Sequence, residues 1–510
     1  MKLQENQVST MSSARQWVLP IVAILGVLLS FGSWALASPL GASPDDDFHL
    51  ASIWCGLGER AGICESGSTT GTRIVPSALN ATICYAGNPT QSAACQATLG
   101  IFSGSEMKET ARGSFSSNYP PLYYATMSLF VGEDIQTSAI IMRMLNVLLF
   151  AAGNILLWLL LPTGLRRTLM WMWAVTTVPL GLFIIASNNP SSWAIMGIGM
   201  SWLALFGFLR TSGRRKAALG LIYAVQAISA AGARADAGIF VIFSSFLVVF
   251  VLWANIKKSL VSGLLPLGVS VIAFLFFELS QQSAVAVTGL DDFVSPSPRT
   301  PLSVLAVNVL QIPQLWTGAF GTWSLGWLDT SMPAVVWVVA GSIFVTTVFV
   351  VSKNTSRRPF WASIGVVGVL YFLPLYILQK GLNHVGEQVQ PRYLLPLIVL
   401  GAGLVFLGVE KRQLPLSRAR IFTVFFGLAI ANSVALYVNL KRYVSGIGAG
   451  TGFSLNEKVQ WWWNIPLSPM AIWMLGSVSF FVALVVVEYL TRTGDDQSAK
   501  ALDYPTTAQL

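Results

Sequence analysis

Three consecutive carboxylates and a histidine follow the first long apolar segment, in the stretch SPDDDFHLASIWC at 43–55. Asp45, Asp46 and Asp47 repel one another when all are ionised, so either one has a raised pKa or a cation or substrate group compensates them. A raised pKa is what a general base needs. If the stretch begins a helix, Asp45 or Asp46 lies three or four residues before His49, a spacing that lets an imidazole orient a carboxylate. The stretch therefore predicts a catalytic site.

Two other interpretations apply to these aspartates. Ser43 and one aspartate would cap a helix, because side-chain oxygens there accept bonds from free N–H groups and a carboxylate suits the helix dipole. Capping accounts for one aspartate but poorly for three and a histidine. Adjacent carboxylates would also hold a hard cation. The sequence offers no second ligand set, so no metal site or other cofactor is predicted, and a divalent cation is left as a minority alternative.

A second group of ionisable residues lies at the ends of apolar segments. A planar guanidinium binds two phosphate oxygens at once, so an arginine at the membrane boundary suits a lipid-linked phosphate. Arg392 is the main candidate, because Tyr393 follows it and His384 and Glu387 precede it closely. The alternative for a single arginine is that its side chain extends to lipid headgroups. The other members of the group are Arg143, Arg234, Asp236 and Asp329.

The elements that must position these residues are membrane helices. Of 510 residues, 54% are hydrophobic and 10% are charged, and the mean hydropathy is +0.64, which is not that of a soluble chain. Apolar runs of about 20 residues predict an all-α polytopic membrane protein with about twelve spans, in which 1–510 is a single membrane domain. The runs lie at about 17–39, 137–161, 168–186, 193–209, 217–232, 238–255, 259–280, 332–352, 359–379, 393–409, 420–439 and 468–490.

Basic clusters between the spans set the predicted orientation. With a cytoplasmic N-terminus, the inside loops collect the arginines and lysines at 166–167, 210–216, 257–258, 352–359 and 410–420, as the positive-inside rule requires. This predicts a plasma-membrane protein with both termini cytoplasmic, a disordered tail at 491–510 and an active site on the outer face. Topology accounts for the net charge of +9, so no nucleic-acid partner is predicted. A cleaved signal peptide is the alternative for the first run.

All four cysteines, Cys55, Cys64, Cys84 and Cys95, lie in the first outside loop, 40–136. An even number on the oxidising side predicts two disulfides. Three connectivities are open, and the pairing of Cys55 with Cys64 and of Cys84 with Cys95 is preferred weakly, because each closes a short loop. Zinc is disfavoured, because the intervals exceed the two to four residues between typical paired ligands.

Seven motifs, in this order on the predicted outer face, carry a resemblance to a known family: SPDDDFH, NYPPLYY, MRMLNVLL, SNNPSSW, ARADAG, LGWLDTSMP and QPRYLLPL. From about residue 20 to 440 the chain resembles the membrane family catalogued as domain of unknown function 2142. That family is similar to the C-type glycosyltransferases, multi-span enzymes that use polyprenyl-phosphate sugars. The resemblance implies a C-type-like fold and a catalytic carboxylate at Asp45 or Asp46, with His49 as its companion. The family usually reads Pro-Asp-Glu where this chain has Pro-Asp-Asp, so the identity of the base stays open.

Three further residues complete the candidates for substrate binding. Asn118 and Tyr123 belong to NYPPLYYATMSLF at 118–130, which predicts a short helix at the membrane interface, where tyrosine is favoured. Asn188 belongs to SNNPSSW at 187–193, whose amides suit sugar hydroxyls. A plain turn between two spans is the alternative for that motif.

The resulting hypothesis is an inverting glycosyltransferase at the outer face of an actinobacterial-type plasma membrane. A carboxylate removes the proton of an acceptor hydroxyl, that oxygen attacks the sugar's anomeric carbon, and polyprenyl phosphate departs with its charge stabilised by arginine. The predicted partners are a polyprenyl-phosphate sugar donor, a cell-envelope glycan or glycolipid acceptor, and the lipid bilayer. The rivals are a transporter or flippase of lipid-linked sugars, which internal repeats would favour, and a non-catalytic envelope assembly protein.

Overall fold

The computed structural model describes residues 2–102, 104–258, 260–284, 299–410, 414–448 and 452–503, with side chains from 17 to 493 except that of Lys258. Residues 285–298 of the predicted outside loop and 504–510 of the predicted tail lie outside the described residues. Numbered in chain order, the helices are α1 (Lys2–Leu36), α2 (Asp46–Trp54), α3 (Ala78–Ala81), α4 (Leu122–Ser128), α5 (Ile135–Leu160), α6 (Thr163–Thr176), α7 (Leu180–Ile185), α8 (Ser191–Phe208), α9 (Gly213–Ala231), α10 (Ala235–Val251), α11 (Trp253–Lys258), α12 (Leu264–Glu278), α13 (Pro301–Gln311), α14 (Pro313–Gly318), α15 (Ala334–Ser352), α16 (Arg357–Lys380), α17 (Pro391–Phe406), α18 (Arg418–Val444) and α19 (Pro469–Asp503).

The chain is a multi-pass membrane protein. Within the described residues, nine helices are long and apolar enough to cross a membrane: Trp17–Leu36, Ile135–Leu160, Ser191–Phe208, Leu260–Glu278, Ala334–Ser352, Arg357–Lys380, Pro391–Val409, Arg418–Val444 and Pro469–Thr493. Two of the other three predicted runs also correspond to helices. Run 217–232 largely coincides with α9, whose first turn is basic, and run 238–255 covers most of α10, which at 17 residues is shorter than the nine helices above. The count of twelve spans stays a prediction, as does the disorder of the tail, into which α19 continues.

The remaining predicted run, 168–186, is divided between two helices. α6 ends at Thr176, and α7 begins at Leu180, directly after Pro179. Proline has no N–H to donate, and it disfavours the α conformation in the residue before it. The predicted span over 168–186 is therefore not one continuous helix, because hydropathy alone does not register a helix break.

The first loop folds into a lobe with a small antiparallel sheet. Its strands are β1 (Glu65–Ser66), β2 (Arg73–Pro76) and β3 (Met107–Thr110), in the order β1-β2-β3. The chain is therefore mostly helical, which corrects the prediction of an all-α fold. Disulfides join Cys55 to Cys64 and Cys84 to Cys95, which confirms the preferred pairing.

Helices α8 and α17 form the buried centre of the helical bundle. They pack against each other, and nearly all their side chains are buried. Where α8 meets α9, a Cβ added at Gly197 would lie 2.5 Å from the carbonyl oxygen of Gln226. Small residues let membrane helices approach this closely. The tight centre fixes the ends of these helices, and those ends carry the candidate site.

Candidate active site

Arg143 of α5 holds the acidic turn against the end of α1. Its buried guanidinium donates to the carbonyl oxygens of Ala35, Ser38 and Pro39, and carbonyls at a helix C-terminus have no partners within the helix. Asp46 is fully buried, with its Oδ2 at 3.8 Å from Arg143 Nη2. Burial raises the pKa of Asp46 to about 6, although Arg143 opposes the rise. Asp46 is therefore a buried counter-charge to an arginine that acts in the fold.

Asp45 is the accessible aspartate of the turn. It precedes α2 with a φ of 59°, a left-handed conformation that costs a non-glycine residue free energy. Its side chain, 35% exposed, makes no cap bond to α2 but accepts from Arg392 Nη2 at 2.6 Å and Arg112 Nη2 at 3.3 Å. Burial alone would raise the pKa of Asp45, but Arg392, His49 and Arg112 together outweigh it and hold the pKa below its usual value. Helix capping therefore does not account for this carboxylate.

Asp47, the third aspartate, is buried and paired with Arg112. Arg112 Nε lies 2.8 Å from Asp47 Oδ2, and Arg112 Nη2 lies 3.1 Å from Asp47 Oδ1. Each of the three adjacent carboxylates thus lies within 4 Å of an arginine. The repulsion expected among them is balanced by side chains that come from distant parts of the chain.

His49 is a neutral, fully buried histidine. Its Nδ1 lies 2.9 Å from the hydroxyl oxygen of Tyr124, and its backbone N–H donates to the carbonyl of Asp45 at 2.9 Å. Its Nε2 is buried with no hydrogen-bond partner among the described residues. Burial lowers the pKa of His49 to about 3, despite the nearby Asp45. The predicted direct orientation of an aspartate carboxylate by the imidazole is therefore not the contact that forms.

Arg392 joins the acidic turn to the start of α17. Gln390 at the N-cap makes no side-chain cap bond, Pro391 as the first helical residue has no N–H, and the N–H of Tyr393 donates to the carbonyl of Gln390 at 3.0 Å. Arg392 lines a small cavity of about 20 Å³ together with Pro44 and Trp323. Its side chain is buried, yet its Nε and Nη1 have no hydrogen-bond partner among the described residues. Unpartnered donors beside an uncapped helix start form a site for an anion.

A second arginine lies across the ring of Tyr393. The guanidinium carbons of Arg234 and Arg392 are 4.5 Å and 4.9 Å from the centre of that ring. Arg234 is neutralised by two bonds to Asp236, at 2.9 and 2.8 Å, and donates to Ser191 at 3.3 Å. The arginines, the tyrosine and the acidic turn therefore meet at one end of the bundle.

The model of the family described as "Predicted membrane protein (DUF2142)" matches residues 28–401. The chain belongs to this family. The resemblance drawn from the seven motifs is thereby confirmed. Among solved structures, the chain is similar to the crystal structure of ArnT from Cupriavidus metallidurans bound to undecaprenyl phosphate, with 13% identity and a TM-score of 0.42, over 94% of this chain and 78% of that one. No curated protein matches it.

Other predicted site residues of this DUF2142 protein lie in separate contacts. Asp329 forms a buried pair with Arg442 at 2.8 Å. Glu387 pairs with Arg299 at 2.7 Å and accepts from the backbone N–H of His384. These contacts belong to the packing of the loops, and among the described residues no hydrogen bond or ion pair joins Asp329, His384 or Glu387 to the acidic turn.

The predicted amides and the remaining tyrosine also have structural partners. Asn188 is buried and donates to the carbonyl of Ala139 at 3.3 Å, and Asn118 donates to Gln281 at 3.2 Å. Tyr123 is buried with its ring centre 5.3 Å from that of Trp193. Their predicted role in substrate binding remains a prediction.

Two residues of the site were not predicted from the sequence. Arg112 binds two aspartates, and Tyr124 binds His49. Arg112 lies 65 positions after Asp47, in a loop with no periodicity, so no local pattern marks it. Tyr124 belongs to the aromatic stretch 118–130, which was predicted to form an interfacial helix, and it lies in the first turn of α4. Its place among these aromatic residues was the available signal.

Proposed function

We propose that this protein is an inverting glycosyltransferase, which moves a sugar from a polyprenyl-phosphate donor to a cell-envelope glycan or glycolipid on the outer face of the membrane. One observation carries the proposal: a partly exposed carboxylate, Asp45, touches a buried arginine, Arg392, whose Nε and Nη1 have no partner among the described residues. A base and an anion site are thus adjacent. Transfer from a phosphate-linked sugar needs both groups.

The phosphate is assigned to Arg392 and the start of α17. A guanidinium and an uncapped helix N-terminus both stabilise an anion, and donors in a partly enclosed cavity do so more strongly than in water. The cavity also has an apolar wall, which includes Leu180 and Phe183 of α7.

Asp45, rather than Asp46, is assigned as the general base. The Asp45 side chain is 35% exposed, whereas that of Asp46 is fully buried against Arg143. Access to the acceptor decides this assignment, although the raised pKa of Asp46 would suit a base better than the lowered pKa of Asp45. Asp45 takes the proton of the acceptor hydroxyl as that oxygen bonds to the anomeric carbon, and the bond from that carbon to the phosphate oxygen breaks. Polyprenyl phosphate leaves with the electron pair, and Arg392 stabilises its charge. A midplane site, expected of a transporter, is not favoured, because Arg392 occupies the first turn of α17.

The first test is binding of undecaprenyl phosphate to the protein in nanodiscs. Arg392→Gln removes the charge and two donor groups of the anion site, so we expect affinity to fall by about tenfold or more, the scale of a charge-assisted contact. Arg418→Gln is the matched control, because Arg418 is exposed and lies far from the site. It begins α18, and the opposite end of that helix is the one beside the lobe, where Arg442 donates to the carbonyl of Tyr85. Equal affinities of Arg392→Gln and the wild type would contradict the phosphate site.

The second test measures sugar transfer from a polyprenyl-phosphate sugar to an acceptor in a membrane extract. Asp45→Asn keeps the size of the side chain and removes its basicity, so turnover should fall by about 10² or more. Binding of undecaprenyl phosphate should survive or tighten, because Arg392 loses a competing carboxylate. Full turnover of Asp45→Asn would contradict the assignment, and loss in Asp46→Asn alone would transfer the role of base to Asp46.

A further inference from the structure

Arg112 connects the disulfide-bonded lobe to the acidic turn. It lies two residues after β3 and is half-exposed. Besides its two bonds to Asp47, it donates from Nη2 to Asp45 Oδ1 at 3.3 Å, and its guanidinium carbon lies 5.5 Å from the ring centre of Phe48. The lobe therefore contributes a positively charged side chain, that of Arg112, to a site otherwise built from the ends of membrane helices.

The two oxygens of Asp45 have different partners. Arg392 holds Oδ2 at 2.6 Å, and Arg112 holds Oδ1 at 3.3 Å. Two donor atoms of Arg392, Nε and Nη1, have no partner among the described residues, so a bound phosphate would compete with Asp45 for its guanidinium. Under the proposed function, Asp45 therefore loses part of its stronger contact when the donor binds.

Arg112 can keep its contact with Asp45 while the donor phosphate is bound to Arg392. Two bonds tie it to Asp47, whose side chain is 7% exposed, so its position does not depend on Asp45. Asp45 in turn needs an external hold, because its left-handed backbone conformation costs about 1 kcal/mol or more. A guanidinium fixed on a buried carboxylate provides that hold.

We propose that Arg112 is a positioning residue, which keeps the Asp45 carboxylate aimed at the acceptor while the donor phosphate occupies Arg392. This inference rests on the proposed function for its catalytic meaning, but the hold of Arg112 on Asp45 is measurable without turnover. A residue that merely stabilised the lobe would leave the titration of Asp45 unchanged.

The groups around Asp45 fix the direction of the effect. Burial raises the pKa of Asp45, whereas Arg392 from α17, His49 from α2 in its protonated form, and Arg112 from the lobe lower it. His49 is common to every variant compared, and its own pKa is about 3. Tyr119 is close enough for Asp45 to raise the pKa of its phenol, and it stays protonated at neutral pH. Loss of Arg112 therefore raises the pKa of Asp45.

The experiment follows the infrared band of the protonated Asp45 carboxyl in nanodiscs, identified by its absence in Asp45→Asn. In Arg112→Gln the band should appear about one pH unit higher than in the wild type, the scale of one nearby charge. Undecaprenyl phosphate should enlarge that shift, because it engages Arg392. Arg112→Lys should restore the wild-type titration at least in part.

Arg73→Gln is the matched control, since Arg73 lies on β2 of the same lobe and donates to the carbonyl of Thr72. It should titrate like the wild type. Superimposable titrations of wild type, Arg112→Gln and Arg112→Lys, with and without lipid, would overturn the inference. Failure of the wild type to bind undecaprenyl phosphate would instead count against the proposed function, because the lipid-free titration still decides whether Arg112 holds Asp45.

Discussion

At the scale of single residues, adjacent side chains of the same type have different chemistry. Asp45 is partly exposed and paired with two arginines, and nearby positive charges lower its pKa against the effect of burial, whereas Asp46 is fully buried and burial raises its pKa to about 6. Alternation of this kind follows from the turn: consecutive side chains point in different directions and meet different arginines. The sequence predicted that three carboxylates need compensation, but not which cation each of them meets.

His49 gives a pH prediction at this scale. Its pKa is lowered to about 3 in the folded protein by burial, so the unfolded chain binds a proton below about pH 6.5 that the folded chain does not. Stability is therefore present above pH 6.5 and is lost as pH falls, by about 2 kcal/mol at pH 5. Asp46 acts in the opposite direction, because its pKa of about 6 favours protonation of the folded state.

The comparison of wild type with His49→Gln isolates the histidine, because Asp46 is common to both. We expect the apparent melting temperature of the detergent-solubilised wild type to fall more steeply from pH 7 to pH 5 than that of His49→Gln. His49→Gln is less stable than the wild type at pH 7, because a buried ring is lost. The comparison therefore uses the slope of melting temperature against pH and not the melting temperature itself. Parallel slopes would contradict the neutral, buried state of His49.

At the scale of elements, the sequence predicted the apolar helices well and their interruptions poorly. Hydropathy and length located α5, α8 and α17 within a few residues, because a span must bury its backbone bonds and present an apolar surface. The break before Pro179 and the small sheet of the lobe depend on local backbone chemistry and on strand pairing, which hydropathy does not measure. Arg112 was missed for the same reason, because strand pairing brings it to the turn.

The docking of the lobe on the end of α18 gives a prediction for this scale. Ile447 donates to the carbonyl of Pro89 at 2.8 Å, and Gly446 has a φ of 83° with its Cα against the carbonyl of Thr90. A Cβ at Gly446 would clash with that carbonyl. Gly446→Ala should therefore lower stability by about 1–3 kcal/mol beyond the cost of a left-handed alanine.

Gly448→Ala is the control for this prediction, because Gly448 has a φ of 90° and an added Cβ there meets no atom within 4 Å. Both variants carry the backbone cost, and only Gly446→Ala carries the clash. Melting temperatures and limited proteolysis of the segment between Cys84 and Cys95 distinguish them. Equal losses in the two variants would show that the lobe does not depend on this contact.

At the scale of the whole molecule, the candidate site and the basic clusters lie at opposite ends of the bundle. Asp45 meets the first turn of α17, whereas Val405, near the last turn of the same helix, accepts from Thr355 at 2.8 Å, between the basic residues at 353–358. The sequence could predict this separation, since charges bracket each apolar run. It could not predict how many helices converge on the turn, because that depends on packing between distant spans.

The last prediction concerns orientation, and the paired state of all four cysteines makes it accessible to labelling, because one added cysteine is then the single reactive thiol. Thr70 is exposed in the lobe, and Lys353 is exposed just after the end of α15. The 19 residues of α15 are about 28 Å long, so Lys353 lies about that far from the lobe end of the helix. The positive-inside rule places the lobe outside and Lys353 in the cytoplasm. A membrane-impermeant maleimide on intact cells should therefore label Thr70→Cys and should label Lys353→Cys only after lysis. The reverse pattern would place Asp45 and Arg392 on the cytoplasmic side, where a donor at the outer face could not reach them, and the proposed reaction would have to use a lipid-linked sugar of the inner leaflet.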